Sequence, residues 1–251
     1  MDRRLVQGKL LLFLLVCFYF FNTILLNTHT AESLTFPEMV LIPGGEYTSG
    51  SDGFNDERPK RKIFLSPFFI DKYEVTQKYL SKIYKKHSSE FRGESLPVDH
   101  VNWYQARDYC NISGKRLPTE AEWEKAARAT TEELFYWGAE PDDSFAWHWD
   151  NSEKKTHPVG EKKPNKYGLY DMSGNVWEWT ADWYGENYYQ GRSSSNPKSP
   201  FNGKHRVLRG GSFMDKPEGL RVTRRNWDLP GAQFKNFGFR CAKNDNTTTK
   251  D

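Results

Sequence analysis

The sequence is short of the residues on which most recognisable site chemistry is built. Of its 251 residues three are cysteine, and Cys17 lies in an apolar N-terminal run. The remaining pair, Cys110 and Cys241, leaves room for one disulfide or for two buried free thiols. His87, His100, His148, His157 and His205 show no paired ligand spacing, so the two-histidine, one-carboxylate grouping of a non-haem iron centre is not written locally, although distant residues can converge. No nucleophile elbow, phosphate-binding loop or zinc motif occurs. Neither sign of charge is in excess: 36 basic residues against 33 acidic ones give +3, which excludes the basic footprint of a nucleic-acid binder. Aliphatic residues are sparse beyond the N-terminus, while aromatics make up 16% of the chain, with nine tryptophans. A core and clefts built from rings, with many loops between short strands, follow from that balance. The length suits one large domain.

The N-terminus is a separate object. Arg3, Arg4 and Lys9 precede an apolar run over residues 10–26, broken only by Asn22 and Thr23. Basic then apolar is the order of an export signal, expected over residues 1–30, either cleaved or kept as a single membrane anchor. The expected localisation is exported, periplasmic or otherwise extracytoplasmic.

Along the rest of the chain, Met39–Ile42 reads as a strand whose continuation after Pro43-Gly44-Gly45 returns as a hairpin. Residues 63–65 and 68–70 are strand material, and Thr76 is placed to cap a helix reaching about residue 86. A second helix is expected from about Trp103 to Ile112, with Gly114 just past its end, and a third from the Thr119/Glu122 capping box to about Ala129. Residues 132–159 form a long aromatic loop region over the core. Residues 206–213 read as a strand interrupted at Gly210-Gly211, where a bulge or close backbone approach is expected. The run from Arg221 to Trp227 carries three arginines, a solvated face or one wall of a cleft. The tail, residues 244–251, is polar and expected to be disordered.

The densest meeting of glycine, acid and ring is residues 167–180, Tyr-Gly-Leu-Tyr-Asp-Met-Ser-Gly-Asn-Val-Trp-Glu-Trp-Thr. Trp177-Glu178-Trp179 alternates as a strand does, with both rings on one face and Glu178 on the other. Asp171 and Glu178 sit seven residues apart across a glycine turn. Two carboxylates and the turn carbonyls then converge on a hard cation such as calcium, or Asp171 merely opens the turn and Glu178 is a solvated strand residue.

That run, together with Gly-Lys-Arg-Leu-Pro-Thr-Glu-Ala-Glu-Trp-Glu at 114–124, Arg-Val-Leu-Arg-Gly-Gly-Ser-Phe at 206–213 and Phe-Gly-Phe-Arg-Cys at 237–241, resembles the formylglycine-generating enzyme, or sulfatase-modifying factor, family. The four segments stand in the family's order over residues 37–243. The resemblance implies a single α+β domain with an irregular C-type-lectin-like fold and little regular secondary structure. It implies a Cys110–Cys241 disulfide, which over its long loop would stabilise by about 4 to 5 kcal/mol. It also implies a structural calcium at Asp171 and Glu178, with Gly174 and Val176 in the positions that contribute backbone carbonyls.

In the family's oxidases two cysteines spaced by four residues follow the Gly-Gly-Ser motif and hold copper. Here those positions are Asp215 and Leu220. Cuprous copper needs soft thiolates, so copper is not expected and conversion of a substrate cysteine to formylglycine is not supported. The family cleft would be lined by Trp177, Arg209, Ser212 and Asp215, and would hold a peptide, protein or small-molecule ligand. Two rival readings are an oxidoreductase with a different metal centre, in which Asp215 or Glu218 acts as acid or base, and a structural envelope component held by the N-terminal run.

Overall fold

The computed structural model describes residues 37–246. The export segment expected over residues 1–30, the apolar run at 10–26 and the end of the tail, 247–251, lie outside the described residues. Among the described residues no helix is long and apolar enough to cross a membrane.

Three small sheets carry the chain. β1 (Met39–Ile42), β4 (Phe68–Asp71) and β9 (Ala242–Asn244) pair antiparallel in the order β1-β4-β9. β2 (Gly45–Ser49) and β3 (Arg61–Leu65) form a separate antiparallel pair. The third sheet runs β7-β6-β5-β8, from β5 (Trp177–Trp183), β6 (Arg206–Arg209), β7 (Arg225–Asp228) and β8 (Phe237–Gly238), with β5 and β8 parallel.

The hairpin expected after β1 does not form: Val40 stands opposite Ile70 and Leu41 opposite Phe69, while β2 pairs with β3. Pro43 explains the correction. A two-residue hairpin turn needs positive φ at its first central position, and the pyrrolidine ring holds φ near −65°. The tail expected over 244–251 also needs correcting at its first residue, because Asn244 is a strand residue paired with Phe68.

Helix α1 (Gln77–Ser81) is shorter than expected, and Thr76 makes no side-chain cap. The Lys82 and Ile83 amides turn to the carbonyls of Tyr79 and Leu80, three residues back, and the α-helical ladder tightens and stops. Helix α2 (Trp103–Ile112) starts in a capping box between Asn102 and Gln105, and Gly114 follows its end at φ +68°. Helix α3 (Glu120–Arg128) starts in the box between Thr119 and Glu122. A last α-helical turn among the described residues is α4 (Tyr188–Gly191).

Strand β5 runs between two clusters of buried side chains. Trp177 and Trp179 join Trp103, Ala106 and Tyr109 of α2 together with Phe239. Across the strand Glu178 meets Trp123 of α3, which packs with Ile42, Phe68, Ile70 and Met172. The aromatic loop lies over this second cluster, with Trp137 stacked between Phe135 and Phe145 at centroid distances of 4.8 and 5.1 Å.

The Cys110–Cys241 disulfide forms and closes a sequence separation of 131 residues in the first cluster. Replacing both cysteines with alanine should lower the unfolding free energy by about 4 kcal/mol. Guanidinium unfolding of the oxidised and doubly substituted chains measures this, and coincident transitions would show that the cross-link contributes nothing.

Candidate functional site

The Gly-Gly-Ser motif leaves the end of β6 and turns back on itself. Gly211 has φ +76°, and a Cβ there would lie 2.4 Å from Leu220 Cδ2. Only glycine admits this conformation and this contact. The turn places Ser212 over Asp215: the serine N–H and Oγ–H both donate to Asp215 Oδ2, at 3.0 and 2.6 Å. Asn236 Nδ2 donates to Ser212 Oγ at 3.2 Å, and the Trp177 ring donates to the Asp215 carboxylate. Burial raises the Asp215 pKa, opposed by those donors from Ser212 and Trp177 and by the charge of Arg224. Trp177, Ser212 and Asp215 are therefore brought together, with Asn236 as a fourth member.

Arg209 is not part of this group. It is fully buried, donates to the carbonyls of Val222, Thr223 and Arg224, and lies 3.4 Å from Glu124 and 3.8 Å from Glu120. A guanidinium withdrawn from water needs this density of acceptors. The same correction applies to most of the arginine run. Arg221 pairs with Glu57 and Arg225 with Glu120 in buried contacts, and Arg224 alone of the three is exposed. Leu220, which the resemblance sets opposite the family's second cysteine, is 1% exposed and packs with Phe135 and Ala146.

The four residues expected to hold calcium fall within eight positions of the sequence, 171–178. Gly174, at φ +87°, passes so near Trp147 that a Cβ would fall 2.3 Å from its carbonyl oxygen. Asp171 Oδ2 accepts the Gly160 amide at 2.7 Å. Glu178 is fully buried, so it is no solvated strand residue. Its Oε1 accepts Arg240 Nη2 at 2.7 Å, and its Oε2 accepts Arg240 Nε at 2.7 Å and Trp123 Nε1 at 2.8 Å. Glu74 adds a third carboxylate, accepting the Val176 amide at 3.1 Å and Asn175 Nδ2 at 2.6 Å. Burial and the charges of Asp171 and Glu178 hold Glu74 well above the usual carboxylate range, and burial pushes Asp171 up to about 6.

The histidines stay apart in role. His148 donates to or accepts from Asp143 at 2.8 Å, His157 stacks on Trp147 with centroids 3.7 Å apart, and His205 lies against Trp227. Among the described residues no three His, Cys, Asp or Glu side chains group as metal ligands.

Set beside known proteins, the fold and this motif order have clear counterparts. The sulfatase-modifying factor enzyme 1-like domain family matches residues 26–245. The chain belongs to this family. Its relatives include the formylglycine-generating enzyme of Mus musculus, 32% identical over 89% of this chain and 79% of that enzyme. A Chlamydia pneumoniae protein named serine/threonine-protein kinase pkn1 is 38% identical over 83% of this chain. The chain spans 38% of the length of that relative. Among solved structures, Treponema denticola variable protein 1 matches with a TM-score of 0.75 at 29% identity, over 82% of this chain and 95% of that one. The sulfatase-modifying factor fold is thus the α+β, C-type-lectin-like architecture described above, with about 17% helix and 21% strand.

Three residues central to the geometry were missed in the sequence. Asn236 immediately precedes the Phe-Gly-Phe-Arg-Cys motif, and its position there was the available signal. Arg240 lies within that motif but gave no indication of its partner, and Glu74 lies in an unremarkable charged run. Substituting Arg240 with methionine should destabilise the domain by about 3–5 kcal/mol, because Glu178 would stay buried without its partner. Converting Glu178 to glutamine in the same chain should recover part of that loss. Equilibrium unfolding of the two variants checks both; equal stability of wild type and Arg240→Met would remove the pairing from the account.

Proposed function

We propose that this is an exported member of the family that binds a peptide, protein or small-molecule ligand beside Trp177, Ser212, Asp215 and Asn236, without copper-thiolate oxidation. One observation carries the reading. The two positions where the family's oxidases place thiolates hold a carboxylate already bonded to Ser212 and a leucine buried among apolar side chains. A single hard oxygen donor is a poor partner for cuprous copper. What remains is a polar group of hydroxyl, carboxamide, carboxylate and indole, suited to holding the hydrogen-bonding groups of a ligand. The rival oxidoreductase reading would draw on Asp215 as an acid or base, since burial raises its pKa.

The role of calcium here is structural. Asp171 and Glu178 together outnumber the one guanidinium, Arg240, among the charges that act on one another in this buried region. A divalent cation would balance the excess, held by Asp171 and Glu178 with the carbonyls of Gly174 and Val176. The N-terminal basic-then-apolar run supports export, with the envelope role dependent on its retention as an anchor.

Metal analysis of the chain purified without chelator, from an oxidising compartment, tests the site reading. About one calcium per chain and no stoichiometric copper is the expected result. Stoichiometric copper or iron would overturn the non-oxidase assignment. Separately, replacing Asp171 and Glu178 with alanine should abolish any rise in melting temperature on adding calcium. A rise that persists in the double variant would place the ion elsewhere.

A further inference from the structure

A second recess lies away from the Ser212–Asp215 group, between α1, the start of α2 and the segment joining them. Its apolar lining comes from Leu80, Tyr84, Val98 and Val101, and Asp99 is its acid. The open volume is about 90 Å³, room for a short alkyl chain given that roughly 150 Å³ admits benzene. Lys86, which is exposed, and His87 complete the polar part of the lining with Ser88 and Gln105.

Asp99 is 1% exposed. Its Oδ1 accepts the Glu90 amide at 2.6 Å, which commits that oxygen to the chain's own loop. Its Oδ2 is buried and has no hydrogen-bond partner. A buried carboxylate oxygen without a partner carries a desolvation cost that a structural turn does not require, and which a donor entering the pocket would offset. The groups acting on this carboxyl are few. Burial pushes it up to about 6, Glu90 adds to that, and the amides of Glu90 and Phe91 and the charge of Arg92 oppose it.

We propose that this recess binds a primary alkylammonium, such as the end of a lysine side chain or a free monoamine. The ammonium donates to Asp99 Oδ2 while its methylene stem lies along Leu80, Tyr84 and Val101. An ammonium supplies the donor and the charge that the oxygen lacks, and a Tyr ring beside an aliphatic floor suits the stem. Lys86 disfavours a second cationic end, so a monoamine binds better than a diamine of the same length. This site is independent of the ligand-binding reading for Ser212 and Asp215.

Saturation-transfer NMR on the full chain, with n-butylammonium as probe and n-butanol as its neutral counterpart, tests the assignment. At pH 8 the ammonium should bind saturably and about 10-fold or more tightly than the alcohol, as a charge-assisted bond to a carboxylate requires. Its binding should weaken as the pH falls through about 6. The sign follows from Asp99 losing its charge on protonation; the probe stays charged throughout. His87 lies in the lining and is held below its ordinary pKa by burial and Arg92, and the charge it gains as the pH falls acts in the same direction. In Asp99→Asn the preference for ammonium over alcohol should vanish. Absence of saturable binding, equal binding of the two probes, or an unchanged preference in Asp99→Asn would each overturn the proposal. Should that variant fail to fold, the two-probe comparison and the pH series on the natural chain decide alone, and a pH-independent preference would count against the site.

Discussion

The contact between Glu178 and Arg240 is the constraint on which the rest of the domain depends. Glu178 is the second residue of the central strand, where its neighbours in sequence are two core tryptophans and its own side chain is withdrawn from water. A carboxylate there is tolerable only with a partner of opposite charge and good geometry. Arg240 supplies it through two nitrogens, and donates besides to the carbonyls of Asp71, Lys72 and Tyr170. One guanidinium thereby ties the central strand to the end of β4 and to the turn that precedes the strand. The same device recurs around α3, where Glu120 and Glu124 are met by Arg225, Arg209 and Arg128. With so few aliphatic residues, position within this domain is specified as much by matched buried charges as by apolar area.

That economy also bears on the altered site. The loop after Gly211 owes its shape to Leu220, which fills one side, and to Ser212, which ties Asp215 on the other. The turn is held by glycine conformation, packing and hydrogen bonds, none of which needs a metal-binding sulfur. Ser212 and the Trp177 indole are directed at the Asp215 carboxylate, and the Asn236 carboxamide at the serine hydroxyl.

How much of this was legible in the sequence depended on how local the cause is. The ends of α2 and α3, the glycine after α2 and the alternation at Trp177-Glu178-Trp179 are written within a few residues, and the structure follows them. The Asn102 box before α2 was equally local but was passed over. Strand partners were not legible. The pattern at 39–42 and 45–49 reads as adjacent strands, and only the φ restriction at Pro43 argued otherwise. The arginines were the least readable of all, since Arg209, Arg221 and Arg224 look alike along the chain. Their burial is decided by carboxylates that lie far away, as Glu57 does from Arg221 across 164 residues. The candidate cleft was correspondingly read in part: three of its four residues converge, and the fourth belongs to the core.

The last strand and the disulfide share one consequence for how such a chain comes into being. β9 completes the β1-β4-β9 sheet, and Cys241 just before it closes the cross-link to α2. Both the first sheet and the first core cluster therefore depend on residues 241–244, which follow all the other described strands and helices along the chain. A nascent chain lacking them has its first described strands but cannot close the sheet around β4, and contacts of such long sequence separation form slowly. Loss of this one short segment thus undoes two closures at once, the edge of the sheet beside β4 and the covalent tie to α2.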